Sequence, residues 1–377
     1  MTDDDSVADI GSGVAGEVRL RNREELVAAV PHVLGFHPRD SLVVMSVGGS
    51  GPTLRIDHPH DREAIAEVVH IATDPFRRHG YGRGGIAVVH FTDDHERAAA
   101  LTGQLVAAYV DMGVTPLIAV RADSDRIVDL ASGWEGPLPE ETRTRIAAEW
   151  AYAGKPQPRA DRSALAASLQ VVPTRQDRIL RHVGAAVRRF ETLESAGALA
   201  NERRWMSEAI SGFEATTVPI KDVDATRMLV ALCHPKLRDV ASAALTRDNS
   251  RAHVALWTDL ARRAPEPVRD HPLALVALSA WVSGNGALAW TAIEAGNEQH
   301  GLARVTARIL KSGLPPAAWE AVRSQYFAEN TDSAGAHARS AAGRVRPALW
   351  APDPPATGTG PRPSGSHDRP PPAGPSI

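Results

Sequence analysis

The sequence predicts an α/β N-terminal domain with a mixed central sheet, followed by an all-α domain of tetratricopeptide-like helical hairpins. Three observations carry this. Short apolar runs, "SLVVMSV" (41–47), "GGIAVVHF" (84–91) and "TPLIAVRAD" (115–123), alternate with longer amphipathic stretches. That is the order of strands and crossover helices in a layered α/β domain. The stretch 41–57 reads as strand, glycine-rich turn and strand, so one pair at least is antiparallel. Beyond residue 175 the strand signals stop, and short helical patterns follow, separated by Gly, Pro, Asn or Asp. The expected boundaries are 1–16 (disordered start), 17–170 (α/β domain), 171–330 (helical domain) and 331–377 (disordered Pro/Gly-rich tail).

In chain order, "EVRL" (17–20) alternates like an edge strand. "NREELVAAVPHVLG" (22–35) is a helix with Asn22 as its cap and Gly35 at its C-terminus, and Pro31 is expected to bend or break it. The strand 41–47 and its return partner "TLRID" (53–57) precede a helix over 61–80, expected to be interrupted at Pro75. "GGIAVVHF" is apolar without alternation and bounded by glycines, the mark of a strand covered on both faces. A long helix over 94–113 leads to the strand 115–123, and "DRIVDL" (125–130) supplies one more. In the second half, "RQDRILRHVGAAVRRF" (175–190) sets Arg175, Arg178, Arg181, Arg188 and Arg189 opposite a stripe of Ile179, Val183, Val187 and Phe190. "AWVSGNGALAWTAIEAG" (280–296) has the aromatic, the Gly-Asn turn and the small alanines of a tetratricopeptide-type hairpin.

Composition narrows the function classes. A formal charge of −3 gives no global reason to expect a nucleic acid or an anionic membrane. The one cysteine, Cys233, lies in a helical apolar run, so no disulfide framework or cysteine metal site is expected. The start "MTDDDSVADIGSG" lacks the basic and apolar regions of a signal peptide, and a cytoplasmic protein is expected.

Motif by motif, the chemistry is sparse. "GYGRGG" (80–85) follows a helix and opens a strand, the reverse of a dinucleotide loop, and no nucleophile elbow is present. "DHPHD" (57–61) and "HFTDDHE" (90–96) gather His58, His60, His90 and His95 with aspartates, but Asp61 and Asp94 suit helix starts and the spacing is not that of a metal site. No metal or other cofactor is expected. The corner "GFHPRDS" (35–41) is explained by a helix stop, a stiff link and a capped strand start. Its rival is catalytic: His37, Asp40 and Ser41 joined by His90, Asp93, Arg121 and Asp123 at the sheet's edge, with histidines as acid/base groups, carboxylates orienting them and Arg121 gripping an anion.

The stretches "LVAAVPHVLGFHPRDSLVVMSV", "LIAVRAD", "RSALAASL" and "LWTDLARRAP" through "LPPAAW" together resemble the actinobacterial family of unknown function DUF4192. The resemblance runs from about residue 18 to 323 and implies an actinobacterial cytoplasmic protein, with no activity attached. The turn "ASGWEGPLPEE" holds no cysteine, so a thiol or metal role there is not carried over. The expected function is non-enzymatic binding, with a protein or peptide partner at the helical domain. The alternative is a small-molecule hydrolase or transferase with its site at the sheet's edge, and nucleic-acid binding through the arginine face ranks below both.

Overall fold

The structure, a computed structural model, describes residues 20–47, 51–80 and 84–329. The expected disordered termini, most of the strand 17–20, the turn at 48–50 and half of the glycine loop at 80–85 lie outside these residues. The N-terminal half runs α1 (Arg23–Leu34), β1 (Ser41–Ser46), β2 (Thr53–Asp57), α2 (Ile65–His79), β3 (Ile86–Phe91), α3 (His95–Asp111), β4 (Pro116–Ala122), β5 (Arg126–Asp129), β6 (Glu135–Pro137) and α4 (Glu140–Tyr152). Its sheet has the order β2-β1-β3-β4-β5-β6. Only β3 and β4 pair in parallel, through the α3 crossover, while the other neighbours are antiparallel, so the sheet is mixed as expected.

Side chains alternate across a strand, and here both faces are covered. Val43, Met45, Ala87, Val89 and Val120 pack beneath α1 and α4 with Leu26, Val30, Ile146 and Trp150. Leu42, Val44, Ile86 and Val88 pack beneath α2 and α3 with Phe76, Leu101, Leu105 and Tyr109. The central strands are apolar without a break because neither face meets water.

The helix α1 begins where the Asn22 side chain accepts the Glu25 N–H at 2.9 Å, and it stops at Gly35, whose φ of 80° suits glycine. Neither proline breaks its helix, since α1 runs through Pro31 and α2 through Pro75. Pro31 lies in the last turn of α1, where the ladder loses one bond. The carbonyl left without a donor by Pro75 is that of Ile71, a residue 46% exposed, so water can serve it. The strand β6 was not expected, because its Glu-Gly-Pro sequence carries no strand signal.

After α5 (Arg162–Ala167) the chain is helical: α6 (Pro173–Leu180), α7 (Val183–Glu191), α8 (Ala196–Thr216), α9 (Asp222–Ala231), α10 (Pro235–Ala243), α11 (Ser250–Ala261), α12 (Glu266–Val282), α13 (Gly286–Glu294), α14 (Gly301–Ser312) and α15 (Trp319–Glu329). The predicted stripe Ile179, Val183, Val187 and Phe190 is buried with Met228, Trp257, Leu260 and Val276 in a second core. Cys233 belongs to that core, and burial pushes its thiol up to about 12, which makes it an apolar group rather than a nucleophile.

The halves pack on each other. Ala287 and Leu288 of α13 pack against the core of the sheet half. The Asn285 side chain lies against Gly35, where a Cβ would stand 3.3 Å from its Nδ2. His79 Nε2 meets the Ser312 carbonyl at 2.6 Å, and Arg162 bonds Glu294 at 2.6 Å. So the stop of α1 and the turn of the α12–α13 hairpin, the two most distinctive stretches of the sequence, abut.

Candidate functional site

The sheet's polar end gathers the start of β1, the ends of β2, β3 and β4 and the N-terminus of α3. This is the carboxyl end of the parallel pair, where α/β sheets tend to bind ligands. Strand alternation decides which candidate residues meet there. His90 stands beside Leu42 and Arg121 in the ladder and turns to the α2/α3 face. Ser41, one residue from Leu42, turns to the opposite face. The two groups that a hydrolase would need side by side are thus separated by the sheet.

Five of the seven candidates, all but His37 and Asp93, have side chains held by other partners. The Ser41 hydroxyl is buried, donates to the Arg39 carbonyl at 2.6 Å and accepts from Arg55 at 2.6 Å. Asp40 holds a left-handed φ of 41°, tolerable for aspartate. Its carboxylate accepts from Thr92 at 3.0 Å and Arg97 at 3.2 Å, and its carbonyl accepts the His58 N–H at 3.0 Å. Arg121 donates to the Thr92 carbonyl at 3.1 Å and to Asp123 at 3.3 Å. Asp123 also accepts the Arg126 N–H at 3.0 Å, closing the β4–β5 turn. Asp93 is exposed and, among the described residues, bonds none of the other candidates.

His37 stands apart. Partial burial, then the charges of Arg143 and Arg39, push its ring down, and its backbone N–H donates to the Arg159 carbonyl at 3.0 Å. Its ring has no hydrogen bond to the other six among the described residues, so the expected His37–Asp40 pair does not form.

His90 is fully buried. Its Nε2 meets Thr102 Oγ1 at 2.8 Å and its Nδ1 meets His58 Nε2 at 3.0 Å. Burial, and His58 behind it, push the His90 ring down to about 3, which keeps it neutral at ordinary pH. His58, 2% exposed, is also pushed down, by burial first and Arg97 second, against the pull of Asp40 and Asp94. Asp94 caps α3 as expected, accepting the Arg97 N–H, whereas Asp61 accepts the Ala64 N–H in the turn before α2, which starts later than expected and has Ala64 at its cap position with no side-chain bond.

A family model described as "Domain of unknown function (DUF4192)" matches residues 24–317, across both halves. The chain belongs to that family. Comparison with curated proteins and with solved structures finds no match. The polar end of this DUF4192 chain relies on residues that sequence reasoning passed over or read otherwise: His58, Thr92, Arg97 and Thr102. One signal was available for Thr102, which interrupts the apolar stripe Ala98, Leu101, Leu105 of α3. Pairing of His58 with His90 could be foreseen only once β1 was known to lie between β2 and β3.

Proposed function

We propose that this protein acts by binding a partner, not by transforming a small molecule, and that the partner is an acidic protein or peptide that docks on the α6–α7 face of the helical half. One contrast carries the reading. At the sheet's polar end Arg55, Arg97 and Arg121 are all spent on internal bonds. On α6–α7, Arg178, Arg181, Arg188 and Arg189 are exposed and have no ion-pair partner among the described residues, with Leu180 46% exposed between them. Arg175 is the exception, held by Asp259. Four unpaired guanidiniums on two successive helices suit the carboxylates of an acidic polypeptide.

The α12–α13 pair is read as a tetratricopeptide-like hairpin that serves the joint between halves, since Ala287 and Leu288 pack toward the sheet. The protein is taken to work in the cytoplasm, in keeping with its buried thiol.

Affinity capture with the full chain tests this when run beside a variant carrying Arg178→Glu, Arg181→Glu, Arg188→Glu and Arg189→Glu, and beside Ser41→Ala. The expected result is at least a tenfold loss of the captured acidic partner in the quadruple variant only. Equal capture by the quadruple variant, or loss on nuclease treatment, overturns the reading.

A further inference from the structure

We propose that the His58–His90–Thr102 chain is an acid-released latch, which at neutral pH holds the segment 58–64 down on the polar end of the sheet and lets it lift when the imidazoles take up protons. This goes beyond the binding reading and does not depend on it.

The latch stands on geometry. Segment 58–64 links β2 to α2, and its first two residues carry three ties. His58 Nε2 meets His90 Nδ1, the His58 N–H donates to the Asp40 carbonyl, and the Pro59 carbonyl accepts from Arg97 at 3.0 Å. Among the described residues Thr102 Oγ1 has no acceptor other than His90 Nε2, so its proton is assigned to that bond. His90 then donates from Nδ1 to His58 Nε2, and His58 carries its own proton on Nδ1, a buried atom without a partner among the described residues.

Whichever way the chain of protons runs, the ring-to-ring bond needs one bare nitrogen. When both rings are cations, N–H faces N–H and the tie becomes a repulsion. The groups around the pair do not relieve this. Arg97 of α3 adds positive charge, while Asp40 before β1 and Asp94 at the head of α3 offset it. Thr102 of α3 can accept one proton's bond by turning its hydroxyl, Thr92 after β3 is already committed to Asp40, and Asp93, His60 and Asp61 are exposed to water. Protons therefore favour the lifted segment, in which both rings reach solvent.

Hydrogen–deuterium exchange of the full chain at pH 7 and pH 5, corrected for the intrinsic pH dependence of exchange, reads the latch. A ring that stays neutral when closed and titrates near 6.5 when open raises the opening equilibrium about 20-fold over that interval. Protection of the His58 amide, the donor to the Asp40 carbonyl within 58–64, is expected to fall by at least that factor relative to residues 273–278 of α12, and the excess fall is expected to vanish in the His58→Gln, His90→Gln double variant. An equal fall in both segments of the wild type, or an excess that survives in the double variant, overturns the latch. If the double variant does not fold, ¹⁵N spectra of the wild-type imidazoles decide: His90 is expected to stay neutral at pH 5, and a His90 ring that titrates near 6.5 overturns the proposal.

Discussion

Urea unfolding of the full chain should show a midpoint that falls steeply as the pH drops from about 6.5 to 4.5. Three imidazoles carry the effect, His90 buried and His271 and His300 half-buried. Burial holds His90 and His271 down to about 3 and His300 to about 4. His271 Nδ1 and His300 Nε2 meet at 2.9 Å, a second ring-to-ring pair, in the helical half, with Arg238 adding to the suppression. In the unfolded chain each ring takes a proton near 6.5, so acid favours the unfolded state. The stability these rings contribute is complete above about pH 7 and drains away as the pH falls toward the folded values. Each ring accounts for about 2 kcal/mol between pH 7 and 5. Three together make at most about 6 kcal/mol, comparable with the whole stability of many domains. Asp239 and Asp270, raised by burial, act in the opposite sense, but only where carboxylates begin to protonate. A midpoint that stays level from pH 7 to 5 would show these rings to be open to solvent.

Replacing Arg263 by Ala is expected to cost about 3–5 kcal/mol, the range for breaking a buried ion pair from one side. The Arg263 side chain is 2% exposed and bonds the Ile220 carbonyl at 2.7 Å, Asp222 at 3.3 Å and Asp259. It therefore joins the end of α11 to the entry of α9. Without it, two carboxylates and a carbonyl lose their shared donor, and Asp259 retains only Arg175. Arg263→Met should cost nearly as much despite filling the space, because the acceptors remain unpaired. Arg126→Ala, which removes an ion pair with both side chains about half exposed, should cost under about 1 kcal/mol. A loss for Arg263→Ala as small as that for Arg126→Ala would contradict this account of the helical core, with thermal unfolding as the check.

What the sequence made legible follows from what is local. The strand β3 was readable because an apolar run that follows two glycines and ends at two aspartates has few alternatives, and the cap at Asn22 and the stop at Gly35 because each needs one of a few residue types at one position. The strand β6 was not readable, since its pairing with β5 creates it. Proline misled at positions 31 and 75, where the breaking cost is a single bond that position in the helix or water makes tolerable. Most of the candidate site was visible as residue types at the right end of the sheet, but its grouping was not. Sequence proximity suggested His37 with Asp40, whereas strand alternation sends Ser41 and His90 to opposite faces, and the strand order brings His58, from a different motif, against His90.

At the polar end of the sheet Ser41, Asp40, Arg97 and His90 are held in internal bonds. Side chains of a working active site are usually kept at a cost in stability, so their removal tends to stabilise, whereas members of a satisfied network do the reverse. Equilibrium urea unfolding at pH 7.5 of Ser41→Ala, Arg97→Met and His90→Gln separates the two cases. Each variant is predicted to lose about 1–3 kcal/mol, and a gain in stability in any of them would contradict the account.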